Sequence, residues 1–209
     1  MRIEQKQVVF WDFDGVIKDS VDVKTRAFET LFMPYGTEVV ARVRAHHEEN
    51  GGLSRFDKMP IYLNWAGLPV SDEQVSVFCD EFSGLVLQGV IDSPWVPGVY
   101  DYLLQYCRQQ YFVLITATPQ EEIEYILDYI GIAKCFREVF GAPRGKSEAI
   151  AGVLRRLEVE PVNALVIGDA QADLLAARAN ATPFLLRRTV INQHLQASYD
   201  GHQFDNLTS

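Results

Sequence analysis

The sequence predicts an α/β fold: a parallel sheet between two helical layers, with an α-helical cap inserted after the first strand. Three observations predict it. Short apolar runs rich in β-branched residues alternate with segments of helical periodicity through the C-terminal half, the pattern of strands buried on both faces. The first such run, Val8-Val9-Phe10-Trp11, lies near the N-terminus and ends on Asp12-Phe13-Asp14-Gly15-Val16. Between Ser20 and Pro97 the strand-like runs give way to helical patterns alone. The domain reading is a core of residues 1–19 and 94–209, and a helical cap of residues 20–93.

In the cap, Val23 to Met33, Val39 to His47 and Ile61 to Ala66 have helical character, and Asp72 to Gln88 places Val75, Phe78, Cys79, Phe82, Leu85 and Val86 on one apolar side. Pro94, Pro97 and Gly98 mark the return to the core, and Tyr100 to Tyr106 reads as a helix. Phe112 to Thr116 is the next strand, and Ala117-Thr118-Pro119 leads into a helix through Ile123, Ile126 and Leu127 that Gly131 closes. Val139-Phe140 reads as a short strand, Lys146 to Leu157 as a helix, Ala164 to Ile167 as a strand ending on Gly168-Asp169, Gln171 to Ala179 as a helix and Pro183 to Arg187 as a strand. The tail from Gln193 has no strong motif. Ligands of open α/β sheets gather beyond the carboxyl ends of the strands, where these polar endings fall.

The chain has 209 residues, 48% of them apolar, and carries 19 basic against 28 acidic side chains for a formal charge of −9. That composition buries a substantial core and argues against both disorder and a broad phosphate-backbone footprint, so no nucleic-acid partner is expected. No apolar run approaches the roughly 20 residues of a membrane span, so no membrane partner is expected either. The start reads as a lead into a strand rather than a secretory signal. Cys79, Cys107 and Cys135 are odd in number and widely spaced, which favours free thiols, and cytoplasmic residence of a monomer is the default expectation.

Asp12 and Asp14 stand at i and i+2. They face one small volume if strand geometry persists through Asp14, and if the chain relaxes after Asp12 they can still meet around an ion, with Gly15 permitting the turn. That places Asp12 as a nucleophile or metal ligand and Asp14 as its proton-transfer partner, although Asp also simply closes strands and opens turns. Thr116 ends a strand, which a β-branched residue also suits on its own. Lys146 follows Gly145 at a helix start and supplies a compact positive charge. Asp169 and Asp173 are four apart and meet if a helix starts at once, whereas Asp173 also suits a helix cap or a solvated face. An all-oxygen ligand set favours a hard cation such as Mg²⁺.

Taken together, these residues resemble the haloacid dehalogenase superfamily of hydrolases over nearly the whole chain. Asp12-Phe13-Asp14-Gly15-Val16 resembles its first motif, Thr116 its hydroxyl residue, Lys146 its helix-opening lysine, and Gly168-Asp169-Ala170-Gln171-Ala172-Asp173 its final acidic motif. The likeness is greatest to the phosphatase and sugar-phosphate mutase branch with a small helical cap. It implies a Rossmann-like three-layer α/β/α core and an attack by Asp12 on phosphorus to form an aspartyl phosphate. In this reading Asp14 protonates the leaving oxygen and then helps to activate water. Thr116, with backbone donors around Ala117 and Thr118, meets a phosphoryl oxygen, and Lys146 contacts both phosphate and Asp12. Asp12 and Asp169 bind Mg²⁺ through side chains and Asp14 through its backbone carbonyl, while Asp173 contributes through water or by orienting Lys146.

The resulting expectation is Mg²⁺-dependent hydrolysis of a small organic phosphate monoester, a sugar phosphate or a phosphoglycolate-like metabolite. A sugar-phosphate mutase of the β-phosphoglucomutase type and a phosphate-binding module without turnover are the alternatives. Dehalogenation is disfavoured by Asp14 and the full acidic set. Phosphonate cleavage lacks a convincing cap lysine for Schiff-base formation, with Lys58 as the one residue that keeps it open. Arg55 and Lys58, three apart in the cap, are candidate contacts to a substrate anion, or equally solvated charges.

Overall fold

The computed structural model of the protein describes residues 2–208. Six strands, β1 (Val8–Trp11), β2 (Tyr111–Pro119), β3 (Glu138–Ala142), β4 (Ala164–Gly168), β5 (Phe184–Arg187) and β6 (Gln203–Phe204), form one sheet in the order β3-β2-β1-β4-β5-β6. Every neighbouring pair is parallel. All four residues of β1 are buried, as a central strand covered on both faces requires.

After β1 the chain forms a unit of four helices before it returns to the sheet: α1 (Val21–Phe32), α2 (Thr37–Glu49), α3 (Arg55–Trp65) and α4 (Asp72–Asp92). They pack on one another through an aromatic cluster in which Phe28 stacks on Phe82 at 4.0 Å and meets Tyr62 edge-on. α3 begins at Arg55, six residues before the helix expected at Ile61. The Ser54 side chain accepts from the Asp57 N–H and caps it. Pro60 lies inside α3, and burial of Met59, Tyr62 and Leu63 carries the helix through it.

The remaining helices cover the sheet. Val9 and Trp11 point to the face of α5 (Val99–Tyr106) and α6 (Gln120–Tyr129), in a core continuous with the four-helix unit. Val8 and Phe10 point to the other face, against α7 (Lys146–Leu157), α8 (Gln171–Ala179) and α9 (Gln193–Ser198). α9 and β6 fall in the tail whose sequence carries no motif. Both are short, and side chains tie them down: Gln203 Nε2 donates to the carbonyls of Gln196 and Tyr199, and Tyr199 donates its hydroxyl to the Phe184 carbonyl.

β1 sits where the strand order reverses, with β2 on one side and β4 on the other. The crevice outside the carboxyl ends of these three strands is the ligand position of an open α/β sheet. Asp12 follows β1, Thr116 lies in β2 and Asp169 follows β4. No helix among the described residues is long and apolar enough to cross a membrane.

Candidate active site

A cavity of about 600 Å³ opens at this crevice, between the sheet and the four-helix unit. Its floor holds Asp12, Asp14, Thr116, Lys146 and Asp169, with Ala117 beside them. Strand geometry stops at Trp11 and does not persist through Asp14. Asp12 stays docked to the sheet by its N–H, which donates to the Ile167 carbonyl at 2.9 Å. Gly15 then turns the chain at φ +75°.

One ammonium serves a group of carboxylates. Lys146 Nζ lies 2.9 Å from Asp12 Oδ1 and donates to Asp173 Oδ1 at 2.6 Å. Oxygens of Asp12, Asp169 and Asp173 all lie within 4.8 Å of one another, and all three residues are buried. Burial, then the neighbouring carboxylates, push the Asp12 carboxyl above its ordinary range, with Asp173 the largest repulsion on it. Asp169 is likewise raised, by burial, Asp12 and Asp173. Burial works against the Lys146 ammonium, yet Asp12 and Asp173 more than reverse this and hold it above its ordinary value.

The three carboxylates differ in what occupies them. Both oxygens of Asp173 are committed, Oδ1 to Lys146 and Oδ2 to the Ala170 N–H at 3.1 Å. Asp12 Oδ1 also accepts from the Phe13 N–H at 2.8 Å. The Asp169 carboxylate has no hydrogen bond or ion pair among the described residues. Three acidic residues sharing one ammonium leave excess buried negative charge, which an oxygen-seeking divalent cation neutralises, so the donor set fits Mg²⁺.

Asp14 turns away from that group. Lys24 Nζ donates to its Oδ2 at 2.5 Å and to Thr118 Oγ1 at 2.9 Å, while Ser20 donates to its Oδ1 at 2.6 Å. Burial alone would raise its carboxyl, but Lys24, Ser20 and Thr118 together hold it below the usual range. Thr116 is buried, and its Oγ1 accepts from the Thr118 N–H at 3.2 Å.

The sequence reading did not single out Lys24, and it left His47 open between packing, surface hydrogen bonding and substrate contact. Val21, Lys24 and Phe28 all line the cavity at spacings of three and four residues, so a cation set in the apolar stripe of α1 was the available signal. Neither candidate cap cation is a solvated charge. Arg55 is buried and forks onto Glu122 of α6, Nη1 to Oε2 at 2.8 Å and Nη2 to Oε1 at 2.6 Å, with its guanidinium over Phe82. Lys58 is also buried and lies 3.0 Å from His47 Nδ1. Both line the cavity roof. The site can therefore place an anion between a carboxylate-and-ammonium floor and a cationic roof.

Comparison with known proteins agrees with this geometry. The family model for haloacid dehalogenase-like hydrolase matches residues 6–180. Phosphoglycolate phosphatase 1 of Pseudomonas aeruginosa is 24% identical over 179 residues, covering 83% of this chain and 66% of that protein. The chain thus spans about two-thirds of the length of that relative. Among solved structures, β-phosphoglucomutase of Clostridium difficile aligns with a TM-score of 0.75 at 20% identity, covering 96% of this chain and 91% of the other. CbbY of Rhodobacter sphaeroides aligns at 0.75 and 15% identity, covering 96% and 94%. At these identities the two structures share the fold.

Proposed function

We propose, because the chain belongs to the haloacid dehalogenase-like hydrolase family, that it is a Mg²⁺-dependent phosphatase of small phosphate monoesters in which Asp12 is the nucleophile. A phosphoglycolate-like ester is the substrate class that the similarity to phosphoglycolate phosphatases supports. The observation that carries the reading is the ammonium of Lys146 shared between Asp12 and Asp173, beside an Asp169 carboxylate that has no partner among the described residues, with Thr116 lining the same cavity.

Asp12 and Asp169 would hold the metal with the Asp14 backbone carbonyl, while Asp173 steers Lys146. Bound there, Mg²⁺ supplies neutralisation of charge on the transferring phosphoryl group. An Asp12 oxygen attacks phosphorus, the bond from phosphorus to the ester oxygen breaks, and that oxygen takes the proton of the monoanionic substrate phosphate, relayed by Asp14, which is ionised beside Lys24. Water then attacks the phosphorus held on Asp12 and gives its proton to Asp14 as phosphate departs. Lys24, Ser20 and Thr118 orient Asp14 for both transfers. Lys146 and Thr116 bind phosphoryl oxygens, and closure of the helical roof excludes bulk water.

Chelation is expected to abolish phosphate release from phosphoglycolate, and added Mg²⁺ to restore it. The same addition is expected to raise the melting temperature more at pH 8 than at pH 5. Asp12 and Asp169 have folded-state pKa values above their unfolded ones. The stability they contribute is therefore present below the unfolded value and lost as pH rises through the folded one, which is where a cation replaces the missing protons. Metal-independent turnover, or a shift that shrinks with rising pH, contradicts the assignment.

Gly15 offers a second check. A Cβ there would lie 2.1 Å from Asp169 Oδ2, and its φ of +75° disfavours any L side chain. Gly15→Ala is expected to displace the Asp169 carboxylate and lower kcat/KM by at least about 100-fold, the scale of an ångström's misplacement. A steady-state assay with a Mg²⁺ titration measures this, and wild-type kinetics would contradict it.

A further inference from the structure

Four cationic side chains, Lys24, Arg55, Lys58 and Lys146, line the cavity. Three of them are already matched by carboxylates of the protein: Lys24 by Asp14, Arg55 by Glu122, and Lys146 by Asp12 and Asp173. Lys58 is the exception. It is only 2% exposed, forms no ion pair among the described residues, and has His47 Nδ1 as its hydrogen-bond partner. A buried ammonium without a counter-ion is an expensive arrangement for a fold to keep, and a cavity wall is where a ligand can supply the missing charge.

We infer that Lys58 is the binding residue for a second anionic group of the substrate, a single carboxylate carried at the end of a short phosphate monoester opposite the phosphoryl group. This deepens the phosphatase reading and rests on it. Two further carboxylates line the cavity, Glu48, which pairs with Arg44, and Glu49, which is exposed, so the count over the buried roof selects a monoanion. Burial, then Lys58 and Lys24, hold His47 well below its ordinary pKa, so it stays neutral and leaves one unmatched charge in the roof. Nδ1 of that neutral imidazole accepts from the ammonium and aims it, while the Phe28 and Phe82 rings of the cavity wall exclude water. Arg55 is not the unmatched charge, because Glu122 neutralises it through a two-pronged ion pair.

Binding is coupled to a proton. Burial lowers the Lys58 amine to about 7, with Lys24 adding to the effect. The groups facing it are His47 of α2, Lys24 of α1, Asp14 after β1 and Asp57 of its own helix. A bound carboxylate restores the charged form, so preference for the carboxylate ester is full below pH 7 and fades above it.

The test compares phosphoglycolate with 2-hydroxyethyl phosphate, which has an uncharged hydroxyl in place of the carboxylate, in wild type, Lys58→Met and Lys58→Arg. The readout is the ratio of the two kcat/KM values, in which the ionisation of the shared phosphate group largely cancels. In Lys58→Met the ratio is expected to fall at least about thirtyfold, mostly through KM for phosphoglycolate, as expected when one partner of a buried charge pair is removed. Lys58→Arg retains part of the preference. The wild-type ratio declines above pH 7, and that of Lys58→Met does not.

Lys58→Met removes an unmatched buried amine, so a melting temperature at pH 7 no lower than wild type is the folding control. An unchanged ratio, or a borohydride-trapped imine on Lys58 with a phosphorylated aldehyde, overturns the inference while leaving the phosphatase reading standing. If neither ester is hydrolysed, the phosphatase reading fails, and calorimetric binding of phosphoglycolate decides the inference by itself: weaker binding to Lys58→Met supports it, equal binding overturns it.

Discussion

Asp12→Asn is expected to lower phosphate release by at least about 10³-fold while leaving the protein folded, because a carboxamide keeps the shape of the side chain and loses its nucleophilic charge. Stability should move the opposite way from activity. Asp12 is one of three buried acidic residues around a single ammonium, and its neighbours already push its carboxyl toward the protonated form. Replacing it with a neutral group relieves that repulsion, so the metal-free variant is expected to melt no lower than wild type at pH 8. A phosphate-release assay beside a thermal melt measures both. Loss of activity together with unfolding would instead make Asp12 a structural residue.

Lys146→Met is expected to do the reverse, harming stability and activity together. Lys146 is buried against Asp12 and Asp173, and removing it strands carboxylates that no other cation reaches among the described residues. Breaking a buried ion pair from one side costs about 3–5 kcal/mol. The loss should deepen with pH. At pH 5 the carboxylates with raised pKa values take up protons and relieve the repulsion, and at pH 8 they cannot. Divalent cation should return part of the stability and little of the turnover, since the ammonium that positions Asp12 and the phosphoryl oxygens is still missing. Denaturant melts at two pH values, with and without Mg²⁺, decide this. A pH-independent loss would show that Lys146 acts through packing alone.

Most of the floor was legible in the sequence because Asp12 and Asp169 follow strands and Lys146 opens a helix, whereas β2 runs on to Pro119, three residues past the end expected at Thr116. Asp12, Thr116 and Asp169 each interrupt an apolar run in or just after a strand, and a parallel sheet brings the carboxyl halves of its strands together whatever lies between them. The roof was much less legible. Lys24 sits inside a regular helical pattern, and its contact with Asp14 depends on how α1 folds back over the sheet. The Arg55 fork onto Glu122 joins positions 67 residues apart, a separation at which spacing carries no signal. Two cap charges read as open choices between solvent and substrate; both are buried, and their partners separate them, Arg55 matched by Glu122 and Lys58 by no carboxylate among the described residues. The last helix and strand were missed because six and two residues carry too little periodicity, and their position follows from side-chain bonds to the neighbouring backbone.

Covalent catalysis by Asp12 is the central claim, and acid quenching during turnover with phosphoglycolate and Mg²⁺, followed by peptide mass spectrometry, tests it most directly. The peptide that contains Asp12 should gain the mass of one phosphoryl group, and the Asp12→Asn protein should show no such species. Phosphate release without a phosphoryl group on that peptide, and with turnover undiminished in Asp12→Asn, would contradict the mechanism.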